Sequence, residues 1–290
     1  MSDAAAWVRV LAAVGIYVVI ALATARLVRR VGSDLKDIGS RTSPKVAVLG
    51  LVANLTIAGL VLLMLVLVDG MPVTTLGLDV DAVDLMVIAG AFGVGACVAG
   101  AFLLVLRRTG RVDVRRSTRV GRARGDVGGA MLTVAVLAAV AVQEEVLYRG
   151  YVTVNLVHLG WALVAVASIV LFVGIHLLTN RFTAAQVASW TGGTAVLILA
   201  YLISGSLWVA IAIHLGMDLL NVVAFDIVGQ YSLVAIKPSL TDQNRALYRL
   251  ASGTLIALLL LSTYGAHVAT PVSSSAPQGT VPCHRCTPSL

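Results

Sequence analysis

Long apolar runs that carry almost no charge constrain this chain more than any other feature. Eight can be drawn, over residues 7–28, 46–68, 85–106, 131–158, 161–178, 191–206, 207–228 and 251–268. A helix needs ~20 such residues to cross a ~30 Å hydrocarbon layer, where backbone polar groups must be satisfied within the segment. A membrane-spanning β-barrel would show shorter segments of alternating apolar and polar residues, and these runs do not alternate. Of the 290 residues, 59% are hydrophobic and only 12% charged, with a mean hydropathy of +0.95. A water-soluble fold of this size leaves too much surface wet to hide that much apolar area. The expected fold is all-α, a polytopic transmembrane helix bundle of about eight spans.

The net charge of +7 could suggest a nucleic-acid partner, but its distribution argues against one. Between Arg107 and Asp126 lie eight arginines and two aspartates, a net +6, so one inter-helix loop carries nearly all the excess. Such a loop is expected on the cytoplasmic face, next to anionic headgroups of the lipid bilayer. The other loops fit one alternating path. The segment 30–45 is basic, 69–84 holds four aspartates and no Lys or Arg, and Lys237, Arg245 and Arg249 follow the seventh run. Ala23-Thr24-Ala25 mimics a signal-peptidase site, yet only Arg9 precedes the first run while six basic residues follow it within 26–45. That pattern predicts a reverse anchor. Both termini are expected outside, in a multi-pass protein of a bacterial plasma membrane.

Four regions follow: N-terminal helices with the basic loop (1–127), a polar-bearing core (128–228), a cytoplasmic loop with the last span (229–270), and a disordered Ser/Pro/Thr-rich tail (271–290). Cys97 is expected to pack as a small hydrophobe. Cys283 and Cys286, flanking His284, supply fewer ligands than a structural zinc normally takes.

Inside a bilayer the informative side chains are the costly ones, since a charge at mid-span costs ~2.5–3.5 kcal/mol on insertion scales. The fourth, fifth and seventh runs carry Glu144, Glu145, Arg149, His176, His214 and Asp218. These groups must face protein or a wet cavity. Glu145 and Arg149 are spaced to pair on one helical face, which should keep Glu145 ionised and fixed. Glu144 lies ~100° around the helix, beside a second carboxylate in poorly solvated surroundings, where it is freer to act as a general base on water. His176 lies about as far after the turn near Gly160 as the acidic pair lies before it, so antiparallel helices bring them to equal depth at ~1.5 Å per residue. His214 and Asp218 share a face with Asn221 a turn further on, but His214 is expected nearer the outside than Glu144.

Three segments stand out: Glu144-Glu145-Val146-Leu147-Tyr148-Arg149, Phe172-Val173-Gly174-Ile175-His176 and His214-Leu215-Gly216-Met217-Asp218. In order and spacing they resemble the EExxxR, FxxxH and Hxxx(N/D) motifs of the CAAX-protease and bacteriocin-processing (Abi) family, intramembrane endopeptidases related to type II CAAX prenyl endopeptidases. The resemblance covers roughly residues 128–228. It implies that Glu144 and His176 activate a water molecule that attacks the scissile amide of a membrane-associated protein or peptide. It further implies that His214 and residue 218 stabilise the oxyanion, with Arg149 holding Glu145. Many members have Asn where this chain has Asp218, and an ionised Asp accepts hydrogen bonds, so here it is either protonated or orients His214. Glu144, His176 and His214 are also zinc-ligand types, but the contiguous HExxH of zincins is absent and the resemblance favours a cofactor-free glutamate mechanism. Two other classes compete: a non-catalytic membrane scaffold or immunity protein of the same family, and a proton-coupled transporter. The transporter would need a pathway through both leaflets, usually with repeats or broken helices, and neither is visible.

Overall fold

A computed structural model describes residues 2–30, 44–79, 82–110, 113–116, 127–179, 183–225, 234–237 and 256. The described chain is a helical bundle, as the apolar runs require. Its helices are α1 (Asp3–Arg30), α2 (Pro44–Leu67), α3 (Ala82–Arg108), α4 (Val127–Glu144), α5 (Val152–Leu156), α6 (Trp161–Thr179), α7 (Ala184–Ser204) and α8 (Leu207–Phe225). A seven-residue π-helical turn, Glu145–Tyr151, joins α4 to α5. Two short strands depart from a purely helical fold: β1 (Asp113–Arg116) and β2 (Val234–Lys237) pair antiparallel, Asp113 opposite Lys237. They belong to the two segments after α3 and α8.

Four helical stretches are long and apolar enough to cross a membrane: Asp3–Arg30, Pro44–Leu67, Met131–Leu159 and Gln186–Ser204. Leu85–Ala101, Trp161–Leu177 and Leu207–Leu219 are further apolar stretches, within α3, α6 and α8. Seven of the eight expected spans thus fall on described helices. The eighth, 251–268, lies outside the described residues apart from Ile256, as do the tail and its two cysteines. The sixth expected span starts late: α7 begins at Ala184, because Thr183 caps it by accepting the Gln186 N–H at 3.2 Å. Exposed Val19, Leu55 and Val170 give the bundle an apolar exterior, as a lipid-facing surface demands.

One buried cluster joins the first two helices to the later ones, with Ala13 from α1, Ile57, Val61 and Leu65 from α2, and Tyr148, Phe172, Tyr201 and Ile211 from the later elements. The closest helix approach is α3 against α8. A Cβ at Gly95 would collide with the Ile213 carbonyl oxygen, and one at Gly216 with the Phe92 carbonyl oxygen. Without a hydrophobic drive between helices in lipid, small residues that let backbones touch do much of the packing. The packing face of α3 is Gly95, Val98 and Ala99, which turns Cys97 outward. Cys97 is exposed, contrary to the buried position expected of it.

The end of the bundle that carries the α1 N-terminus, called upper below, is tied by polar contacts. Arg9 pairs at 2.8 Å with Asp69, whose side chain is fully buried, and Asp69 also accepts from Asn155 Nδ2 at 3.5 Å. The 69–84 segment is therefore more than a loop. Its 3₁₀ turn, Val73–Leu76, sends Leu76 to full burial. Gly77, with φ 65°, ends the turn and accepts at its carbonyl from the Leu207 N–H (3.3 Å) and Ser206 Oγ (3.2 Å), while Trp208 Nε1 donates to the Leu78 carbonyl at 2.9 Å.

Gly95→Ala is expected to lower stability by about 1–3 kcal/mol, the usual range for overpacking. Gly93→Ala, where an added Cβ meets nothing within 4 Å, should leave it unchanged or slightly raised. Thermal unfolding of the two variants in the same detergent measures the contrast.

Candidate active site

The polar side chains that the apolar runs should not tolerate converge on one place. Glu145 and Arg149 are both fully buried and lie 3.1 Å apart, Oε1 to Nη1. They pair as expected, but across the π-helical turn rather than an α-helical one. Such turns, with i→i+5 bonding, recur at functional sites. No guanidinium nitrogen of Arg149 has an aligned hydrogen-bond acceptor among the described residues, so the 3.1 Å contact is an ion pair without hydrogen-bond geometry. The Phe172 ring lies 5.1 Å below the guanidinium carbon, adding a cation–π contact in desolvated surroundings.

Glu144, the last residue of α4, points elsewhere. Its Oε1 lies 3.7 Å from His176 Nε2 and its Oε2 3.7 Å from His214 Nε2. His176 therefore reaches the acidic pair from α6. Its Nδ1 lies 2.9 Å from the Phe172 carbonyl; a carbonyl only accepts, so Nδ1 carries the proton, and in the neutral ring Nε2 presents a lone pair towards Glu144. Trp190 of α7 and Phe172 flank the His176 ring, with centroids at 5.1 and 4.2 Å.

His214 lies deeper than expected, level with the acidic pair. Its Nδ1 is 2.8 Å from Glu145 Oε1, and its Nε2 faces Asp218 Oδ2 at 3.4 Å as well as Glu144. The start of α8 accounts for the difference. A Cβ on Gly150 would sit 3.2 Å from Leu76 and 3.4 Å from Leu207, so the first residue of α8 is level with Gly150 rather than with the turn near Gly160. Gly150 is five residues from Glu145 and Leu207 seven from His214, which equalises their depth. The 3₁₀ turn roofs this sunken helix start.

Glu145 thus touches both Arg149 and His214, and Glu144 faces two imidazoles. With Nδ1–H given to Glu145, His214 carries a proton at Nε2 only as an imidazolium. Asp218, half-buried, stands one turn from His214, its Oδ2 3.4 Å from Nε2. Asn221 lies in α8, its side chain outside the described set. Among the described residues no group of three or more His, Cys, Asp or Glu side chains is arranged to hold a metal ion.

Contacts that the motif residues alone did not reveal surround this group. Ser168 donates to the Tyr148 carbonyl at 2.7 Å, Asn155 Nδ2 to the Tyr151 carbonyl at 3.1 Å, and Tyr148 meets Phe172 edge-on at 5.3 Å. A hydroxyl one turn before Phe172 on the same face of α6 was the available signal for Ser168.

A family model described as type II CAAX prenyl endopeptidase Rce1-like matches residues 127–220. The match spans all three motifs, so the segment that builds the site is similar to a family of CAAX-type intramembrane peptidases. No curated protein and no solved structure matches the chain.

Arg149→Met is expected to cost about 3–5 kcal/mol, because it leaves the fully buried Glu145 without its cation. Loss of detergent-extractable folded protein, or a sharply lowered melting temperature, measures it. Arg149→Lys should recover only part of the loss, since an ammonium lacks the flat face that stacks on Phe172.

Proposed function

We propose that this protein is an intramembrane endopeptidase that hydrolyses peptide bonds of membrane-associated proteins or peptides with a water molecule activated by Glu144 and His176. The observation that carries the reading is the pair of 3.7 Å approaches from the Glu144 carboxyl oxygens to two histidine Nε2 atoms. That spacing exceeds a direct hydrogen bond and suits a bridging water. The motif resemblance and the family match over 127–220 support the same class of reaction.

In this mechanism Glu144, assisted by His176, removes a proton from water as its oxygen bonds to the scissile carbonyl carbon. The carbonyl π pair moves onto oxygen. His214 as an imidazolium donates from Nε2 to that oxyanion, the charge most worth stabilising in acyl transfer. Asp218 holds the His214 Nε2–H until the forming oxyanion takes it over, and Glu145, fixed by Arg149, holds Nδ1. The proton on the Glu144–His176 pair then passes to the leaving amine as the C–N bond breaks. The proposed site needs no metal. A zinc would have to take Glu144, His176 and His214 as ligands, and the motif resemblance favours a glutamate mechanism without one. The proposed setting is a bacterial plasma membrane with both termini outside, supported by the basic segment between Arg107 and Asp126.

Glu144→Gln and His176→Ala should each reduce cleavage at least about 10²-fold, the low end for loss of a general base, while melting temperatures stay close to wild type. Membrane proteomes of cells expressing wild type and Glu144→Gln identify the uncleaved precursors. Retained cleavage in both variants overturns the assignment.

Activity is expected to survive dialysis of the purified protein against 1,10-phenanthroline. Loss on chelation that zinc restores would make the three residues metal ligands instead.

A further inference from the structure

One face of α6 meets the π-helical turn and the Glu144 that precedes it at three successive levels. Ser168, fully buried, donates to the Tyr148 carbonyl at 2.7 Å. One turn on, Phe172 meets the Tyr148 ring edge-on at 5.3 Å and lies under the Arg149 guanidinium. One turn further, His176 Nε2 faces Glu144 at 3.7 Å. Residues 168, 172 and 176 are spaced by four, so they form one stripe along the helix.

The three levels differ in what they can fix. An apolar ring contact such as Phe172 against Tyr148 tolerates sliding along the helix axis, because dispersion is non-directional. The 3.7 Å approach of His176 to Glu144 exceeds a direct hydrogen bond. Only the Ser168 hydrogen bond is both short and directional, and its acceptor is a backbone carbonyl inside the turn whose two ends carry Glu145 and Tyr151. A displacement of α6 along its axis would break that bond before it opened the packing around Phe172.

We infer that Ser168 is a positioning residue for the reaction, a register pin that sets the depth at which His176 meets Glu144. The inference rests on the endopeptidase reading for its kinetic consequence, but the geometric claim stands without it. Loss of the pin should leave substrate binding intact and misplace the imidazole against the attacking water. A misplacement of ~1 Å at a reacting group can cost on the order of a hundredfold in rate.

The test uses the full-length protein in lipid nanodiscs. With an internally quenched prenylated CAAX peptide as the probe, Ser168→Ala is expected to lower kcat by about tenfold to a hundredfold with KM unchanged. Ser168→Thr, which keeps the donor, should recover most of it. Independently of cleavage, ¹⁵N-histidine spectra, assigned with His176→Ala, should show the His176 ring signals shifted in Ser168→Ala and restored in Ser168→Thr. Ser168→Cys keeps the volume with only a weak donor and replaces the alanine variant should that one not fold. Unmoved His176 signals in the donor-poor variant overturn the inference, whatever the enzyme does to the peptide. So does an equal loss in the alanine and threonine variants with a matching fall in melting temperature, which marks a purely structural serine. If wild type does not cut the probe and the His176 signals still move as expected, the pin stands and the endopeptidase reading alone loses support.

Discussion

Arg149 and Glu145, each with no exposed surface, form the interaction that the rest of the bundle is built to accommodate. A buried ion pair recovers its desolvation cost only when the geometry is good and the remaining groups are satisfied. Here the recovery is spread over several elements. Phe172 of α6 covers the guanidinium face, and His214 of α8 takes a second contact with the Glu145 oxygen that pairs with Arg149. The pair therefore acts as more than a lock within one helix, since it draws both neighbouring helices to a fixed distance. Glu144 is held out of this network by one residue's rotation and faces the two imidazoles instead.

The helices that deliver those imidazoles are closely packed. The glycines at 95 and 216 allow α8 to lie with its backbone against α3, so that His214 and Asp218 sit on a helix whose position is set by main-chain contact. The upper turn that starts α8 is sunk beneath the 69–78 segment and hydrogen-bonded to it. Leu76 fills the space between Gly150 and Leu207. Through these contacts the N-terminal helices, which lie outside the family match, set where the motif helices stand.

Residue cost made much of this legible in the sequence. Glu144, Glu145, Arg149, His176, His214 and Asp218 were identifiable because lipid penalises them, and their convergence followed from depth counting for Glu144 and His176. Depth counting failed for His214 because it assumed that every turn sits at the membrane surface; the roofing of the Ser206 turn by Gly77 depends on tertiary contacts far apart in the chain. Cys97 was misplaced for a related reason, as an apolar run does not show which face of a helix is the packing face when the whole helix is apolar. Ser168 was passed over because a lone serine costs little, and its partner is a backbone carbonyl that no side-chain pattern announces. The strand pair β1–β2 arises in loops read only for their charge.

The π-helical turn has a consequence for how such a chain can vary. With i→i+5 bonding the segment Glu145–Tyr151 holds one residue more between bonded partners than an α-helix does. Deleting any one of its residues would relax it to α-helix, keeping the flanking helices nearly in phase but re-aiming the side chains within the turn. Glu145 and Arg149, both inside the turn, would then lose the relation that pairs them. The turn is in effect a frozen insertion. The chain can exchange side chains around it, but its residue count there is as fixed as the chemistry it presents.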